Sequence, residues 1–334
     1  MMACAKGIKS SKRAELTEYL AEKLGLKMVA VAGTHGKTTT TAMIVWAALK
    51  CGLPVSYIVG TTLGFAPSGA YKPSDKYFVY EADEYDRNFL RYHPWLAVIP
   101  SVSYDHPDIY PTQEEYLEAF SQFKAQSRKV LEYRASDGIV EQNNGADNGT
   151  INGKFATCGI ISDDFALAGQ ARRIDASLAA TAISEMLAEE KKANQEASEA
   201  ESEFGDSKVE PREESVQYDD FAKEQLVEIL NDFPGVGRRF ERISDSVYSD
   251  YAHHPEEIAA TLGVAQDEKR RLGKTGVVVV YQPHQNTRQH EVKDGYKKAF
   301  LGADKVFWLP TYLTRENERL EVLKPEDSGA FSRL

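Results

Sequence analysis

The sequence predicts an α/β protein in which a doubly wound, mostly parallel sheet is followed by a second, smaller α/β unit. Three observations carry that prediction. Short apolar runs alternate with segments of helical periodicity. The first run, Met28-Val29-Ala30-Val31-Ala32, has the length and composition of a buried parallel strand. A glycine-rich turn then joins that run to a helix.

Taken in order, residues 8–24 place Leu16, Tyr19, Leu20 and Leu24 at helical spacing, which predicts one amphipathic helix. The strand 28–32 ends at Gly33, and Thr38 to Leu49 read as a helix that Gly52-Leu53-Pro54 stops. Val55 to Val59, Tyr77 to Glu81 and Leu96 to Val102 are further strands, with Glu114 to Phe123 as a helix after the last. Residues 189–220 change character, being rich in Glu, Lys, Ser, Ala and Asp with almost no large apolar residue. They read as a solvated helix extension or a disordered insert without chemistry of its own. Phe221 to Phe233 is a helix broken by Pro234-Gly235. A second alternating unit follows, with strands at Val247 to Asp250, Val277 to Tyr281 and Lys305 to Leu309 and a helix at Pro255 to Val264. The domain boundary is expected near Asp232, giving one domain over 28–232 and another over 233–334.

Bulk properties narrow the function. A chain of 334 residues suffices for roughly two domains. A net charge of −11 argues against a general nucleic-acid surface, so any phosphate site must be local. No apolar run approaches the ~20 residues of a membrane helix, and residues 1–13 lack a secretory h-region. Cys4, Cys51 and Cys158 are scattered without metal-ligand spacing, which suits a reducing cytoplasm.

The segment Gly33-Thr34-His35-Gly36-Lys37-Thr38-Thr39 lies between a predicted strand and a predicted helix. Its glycines let the backbone turn tightly and aim N–H groups at phosphate oxygens, and the helix N-terminus adds partial positive charge. Lys37 can reach the β- and γ-phosphates of a nucleotide, and the Thr38 hydroxyl can ligate Mg²⁺. The loop departs from the general phosphate-loop pattern, with Val31 where a glycine is usual. Glu81-Ala82-Asp83-Glu84 and Asp105-His106-Pro107-Asp108 follow the predicted strands at Tyr77 and at Leu96 to Val102. Ligands of open α/β sheets bind outside the carboxyl ends of the strands, so loop, carboxylate and histidine are expected on one rim. Glu81 suits Mg²⁺, a hard ion that prefers oxygen, whereas His106 is an unusual ligand for it.

At these residues the chain resembles the Mur ligases, and among them the branch that joins L-alanine to UDP-N-acetylmuramate. The resemblance rests on Gly33 to Thr41, Glu81 to Asp86, Asp105 to Tyr110, Gly235 to Glu241, Asp250 to Ile258 and Tyr281 to Arg288, in family order and spacing across 28–310. It implies a central P-loop ATPase domain followed by a Rossmann-like domain that carries the amino acid, with ATP and Mg²⁺ bound between them. Glu81 and His106 would hold a second Mg²⁺, Arg239 would reach the ATP phosphates, and Asp250 would contact the nucleotide. Tyr251, His253, His284 and Arg288 would surround L-alanine, with His253 or His284 as base. The substrates implied are UDP-N-acetylmuramate and L-alanine, without nucleic acid or membrane.

Against the family pattern, residues 1–27 read as the last helix of a UDP-binding domain, and the second domain reads as incomplete at Leu334. Ala171 and Asp175 stand where the family usually has His and Asn near the adenosine, and Gln285 where Arg is frequent. Two alternatives stay open. One is the related recycling ligase that attaches a ready-made peptide, against which Gln282-Pro283-His284 speaks; the other is a fragment that binds ATP without turnover.

Overall fold

From Met28 to Val31, strand β1 (Lys27–Val31) is buried on both faces, and such a strand is stable only inside a covered sheet. The computed structural model describes residues 10–135, 138–144, 151–155, 160–203, 221–284, 286–313 and 320–324. In it β1 runs parallel between β4 (Tyr77–Glu81) and β5 (Leu96–Ile99). The sheet has eight strands in the order β3-β2-β4-β1-β5-β6-β7-β8. Its remaining members are β2 (Val55–Ile58), β3 (Gly69–Ala70), β6 (Lys129–Arg134), β7 (Gly138–Asn144) and β8 (Ile151–Phe155). The five central strands are parallel, and β3, β7 and β8 extend the edges antiparallel.

Helices cover both faces, as a doubly wound sheet requires. Val29 and Val31 face α2 (Lys37–Lys50), α4 (Gln170–Glu203) and α5 (Lys223–Asn231), while Met28 and Ala30 face α1 (Arg13–Lys23) and α3 (Gln113–Ala125). Two expectations need correction here. In α1 the stripe Leu16, Tyr19, Leu20 and Leu24 is exposed, and Ala14 and Ala21 face the sheet. Polar contacts accompany that rotation: Glu15 meets Arg91 at 3.1 Å and Glu18 accepts from His93 N at 3.1 Å. Residues 189–203 continue α4, and their start is anchored rather than solvated. Glu190 is 1% exposed and accepts from Lys76 Nζ at 2.6 Å and Tyr77 Oη at 3.0 Å, while Glu189 pairs with Lys27 at 2.6 Å. The rest of the expected insert, 204–220, lies outside the described residues.

The second unit contains α6 (Pro255–Arg271) and a parallel pair, β11 (Val278–Tyr281) and β12 (Lys305–Trp308). That pair is joined through α7 (Asn286–Glu291) and α8 (Tyr296–Ala299). Its core gathers Ile258, Leu262, Tyr281, Tyr296, Phe300 and Val306. The predicted strand at Val247 does not join this sheet. Ser246 adopts φ 63° and reverses the chain, so β10 (Val247–Ser249) folds back antiparallel on β9 (Glu241–Ser244). Among the described residues, no helix is long and apolar enough to cross a membrane.

Candidate nucleotide and ligase site

The loop after β1 is pressed against the end of β5 and the start of α4. A Cβ at Gly33 would lie 2.7 Å from Ser101 O, and one at Gly36 (φ 86°) would lie 2.7 Å from Asp175 Oδ1 and 3.0 Å from Pro100 Cβ. Only glycine fits these two positions. Gly36 also has no side chain with which to cap the first turn of α2, so that turn presents backbone N–H groups to an anion. Thr34 instead turns inward: its hydroxyl donates to Ser103 O at 2.7 Å, accepts from Ser103 N at 2.9 Å and meets Tyr116 Oη at 2.7 Å. Its side chain anchors the loop rather than facing a ligand.

Lys37 Nζ folds back over the loop, donating to Gly33 O at 2.5 Å and standing 2.9 Å from Glu84 Oε2. Glu84, 1% exposed, also lies 3.4 Å from His106 Nε2 through Oε1. Burial alone would raise the Glu84 carboxyl, but the Lys37 charge and the His106 contact outweigh it and hold Glu84 below the usual carboxylate range. His106 sits at φ 57°, a left-handed conformation costing a non-glycine residue roughly 1–2 kcal/mol. Asp105 Oδ1 stabilises it by accepting the His106 N–H at 2.7 Å. The Glu81 carboxyl is raised by burial, against the opposing effects of the Thr38 hydroxyl, Lys37 and Arg239. Glu81 Oε1 is buried and has no hydrogen-bond partner among the described residues. A buried, unsatisfied carboxylate oxygen beside a threonine hydroxyl is a donor set that fits a hard cation. Of the residues expected on this rim, Lys37 and His106 meet through Glu84, which was not among them, while Glu81 stands with Thr38 and under the Lys37 charge.

The second unit closes over this rim. Arg238 (φ 58°) and Phe240 (φ 51°) flank Arg239 with two left-handed turns. Arg239 Nη1 lies 3.9 Å from Glu257 Oε1, and the guanidinium charge acts on Glu81, Asp175 and Asp250. Asp250, expected against the nucleotide, commits both oxygens to backbone, accepting from Phe240 N and Ala252 N at 2.7 Å each. It thus fastens the turn that carries Arg239. The first turn of α6 has the expected form, with Pro255 at its start and His254 Nδ1 accepting from Glu256 N at 3.3 Å. Glu256 and Glu257 do more than complement the dipole. Glu256 Oε2 stands 3.2 Å from His35 Nε2 and Glu257 Oε1 stands 3.3 Å from His35 Nδ1. Burial would lower His35, yet these two carboxylates raise it to about 9.

Between the units lies a cleft of about 310 Å³ lined by Gly36, Thr39, Arg172, Asp175, Arg239 and Phe240, among others. A second cavity of about 880 Å³ collects Tyr251, His253 and His284, three of the four residues expected around an amino acid. His253 Nδ1 is 3.3 Å from Glu257 Oε2, so the two cavities share a wall. Gln285 and the Arg288 side chain lie outside the described residues.

Comparison with known proteins follows this geometry. Residues 31–146 match the Mur ligase middle domain. The chain is 34% identical over 307 residues to UDP-N-acetylmuramate–L-alanine ligase of Mycobacterium marinum, covering 87% of this chain and 61% of that protein. It is 31% identical over 329 residues to the Gloeobacter violaceus enzyme of the same name, covering 95% and 66%. The chain thus spans about three fifths to two thirds of the length of these curated relatives. Among solved structures, UDP-N-acetylmuramate–alanine ligase from Thermotoga maritima superposes with a TM-score of 0.59 at 20% identity over 93% of this chain and 68% of that one. A pseudomurein peptide ligase type C from Methanothermus fervidus gives 0.52 at 16% over 92% and 72%. These likenesses share the fold found here, and the sequence matches run through both units: the chain belongs to the Mur ligase family.

Proposed function

We propose that the chain is the ATPase and amino-acid portion of a ligase that joins L-alanine to the carboxylate of UDP-N-acetylmuramate in peptidoglycan precursor synthesis. One observation carries this reading: Lys37, Glu81, Glu84 and His106 share the rim of the parallel sheet while Arg239 reaches it from the second unit. On this reading the ATPase domain spans 28–232, the amino-acid domain begins at 233, and the reaction takes place in the cytoplasm.

A carboxylate resists attack by an amine until one oxygen becomes a leaving group. Transfer of the γ-phosphoryl group from ATP to the substrate carboxylate gives an acyl phosphate and ADP. The amine nitrogen of L-alanine then attacks the acyl carbon, and the tetrahedral adduct collapses to amide and inorganic phosphate. Phosphoryl transfer needs positioning and charge neutralisation. Lys37 and Arg239 supply cationic charge from two sides, and the first turn of α2 holds the phosphates. Thr38, Glu81 and His106 would hold Mg²⁺, which neutralises phosphate charge when bound. His253, which lines the larger cavity beside Glu257, is placed to take a proton from the attacking amine.

The test is ADP release by the intact chain with ATP, Mg²⁺ and UDP-N-acetylmuramate, with L-alanine set against a tripeptide and MgADP binding measured in parallel. Turnover that depends on L-alanine and is lost in Lys37→Ala supports the reading. Dependence on the tripeptide instead assigns the recycling reaction. MgADP binding without amine-dependent turnover reduces the chain to a nucleotide-binding portion, and no MgADP binding overturns the reading altogether.

A further inference from the structure

We propose that Asp175 couples nucleotide binding to proton uptake, taking up a proton from solvent when nucleotide phosphates settle on the loop at Gly36. This rests on the nucleotide-binding reading above and adds a regulation of that same site.

The geometry comes first. Asp175 lies near the start of α4, is 6% exposed, and forms part of the wall of the 310 Å³ cleft. Its Oδ1 accepts from Thr40 Oγ1 at 3.0 Å and stands 2.7 Å from where a Cβ on Gly36 would sit. The carboxyl group therefore touches the phosphate loop itself, at the N-terminal turn of α2. An ionised carboxylate and a nucleotide phosphate placed there compete for the same positive potential. An asparagine would not compete, because it carries no charge.

Each element packed against Asp175 contributes a known group. From α2 and the loop before it come Thr40 and Gly36, and the end of β5 supplies Pro100 beside the same glycine. Arg172 on its own helix and Arg239 from the second unit act on it through charge. Among the described residues neither arginine stands within 4.0 Å ion-pair distance of it. Burial raises Asp175, the Thr40 bond and the two arginines offset part of that rise, and the group comes to about 7. Near neutral pH it is thus divided between its two forms.

Phosphate charge at Gly36 favours the neutral form, and by linkage the neutral form binds nucleotide more tightly. The carboxyl proton also makes Asp175 a donor to a ligand oxygen, which the carboxylate is not. The sign follows: affinity is highest below about pH 7 and falls above it, by up to tenfold per pH unit where the neutral form alone binds. His35 also faces the cleft, but its transition near 9 lies above this window.

The experiment is titration calorimetry of MgADP into the intact chain at pH 8, in two buffers of different ionisation enthalpy, with Kd followed from pH 6.5 to 8.5. The expected result is uptake approaching one proton per nucleotide and a loss of affinity of more than about tenfold across that range. Asp175→Asn, which keeps the side-chain size and the Thr40 bond, should abolish the uptake and flatten the pH dependence. Protonation of ADP itself is common to both proteins and cancels in the comparison. Thr40→Val removes a hydrogen bond that favours the carboxylate and should move the midpoint to higher pH, a second check should Asp175→Asn fail to fold. Equal proton uptake in wild type and Asp175→Asn, or a midpoint unmoved in Thr40→Val, overturns the proposal while leaving nucleotide binding intact. Absence of MgADP binding at every pH overturns the nucleotide reading and this inference with it.

Discussion

His35 offers a direct measure of how firmly the two units hold each other. It belongs to the loop between β1 and α2, yet both its ring nitrogens face acidic side chains of α6, at 3.2 Å and 3.3 Å. Its rise from 6.5 to about 9 corresponds to at most about 3.5 kcal/mol at about 1.4 kcal/mol per pH unit. The Glu256 side chain is 57% exposed while Glu257 is 13% exposed, so screening of the first partner reduces the figure to about 1–2 kcal/mol. The lowering of Glu256 to about 2 is the same attraction seen from the other partner and adds nothing further. Because the folded state raises the histidine, its stabilisation is complete below pH 6.5 and disappears as pH rises through 9. On the acid side it is lost as the pH falls below 4.5 and the glutamates protonate. His35→Gln should therefore unfold in urea with about 1–2 kcal/mol less stability than wild type at pH 6, and with little difference at pH 9.5. A deficit of the same size at both pH values would refute the electrostatic account and leave only lost packing against the His254 ring, 4.9 Å away.

Other substitutions follow from the same geometry. Lys37→Ala leaves Glu84 buried without its ammonium partner, so stability should fall by about 3–5 kcal/mol and MgADP binding should weaken at least tenfold, as read by denaturation and calorimetry. Glu84→Gln keeps the shape but removes the charge between Lys37 and His106, and kcat should fall more than KM changes if that charge orients both groups. Gly36→Ala places a methyl 2.7 Å from Asp175 Oδ1 and at a left-handed φ, so it should cost about 1–2 kcal/mol and abolish nucleotide binding. Phe120→Ala, in the core beside Phe89 and 1% exposed, should destabilise by about 3–5 kcal/mol in urea unfolding without changing ligand affinity in the protein that remains folded.

The parallel centre of the larger sheet was legible because burial on both faces leaves a direct mark in composition. Val29 to Val31 and Leu96 to Ile99 are unbroken apolar runs, and each became a strand. The last parallel strand, β6, leaves no such mark: Lys129-Val130-Leu131-Glu132-Tyr133-Arg134 mixes charge with apolar residues because its ends are partly exposed. Helix α1 was expected over 8–24 and begins at Arg13, and its buried face differs from the expected one. Its larger apolar residues dominate the periodicity, but the small Ala14 and Ala21 are the residues that allow the close approach to the sheet. The beginning of 189–220 misled for a related reason. Glu189 and Glu190 look like solvated charges until the partners, Lys27 and Lys76, are brought 162 and 114 residues across the chain.

The site follows the same division between what is local and what is assembled. The proposed phosphate loop is local: its glycines, lysine and threonine are contiguous, and the backbone geometry they require is readable from spacing alone. Lys37 and Thr38 were therefore accessible from the sequence. Glu84 was visible within Glu81-Ala82-Asp83-Glu84 but indistinguishable there from a solvated acid, since its role depends on a histidine 22 residues later and a lysine 47 residues earlier. The signal that could have found it is its position just past a strand end that also bears Glu81, where two acids reach one rim. Asp175 carried a different signal, a charged residue where the family resemblance leads one to expect an asparagine. Only burial against Gly36 turns that difference into chemistry, because the same carboxylate on the surface would stay ionised and leave the loop's potential undisturbed. The residues hardest to read are thus those whose charge state is set by distant neighbours, and these are the groups through which pH acts on the site.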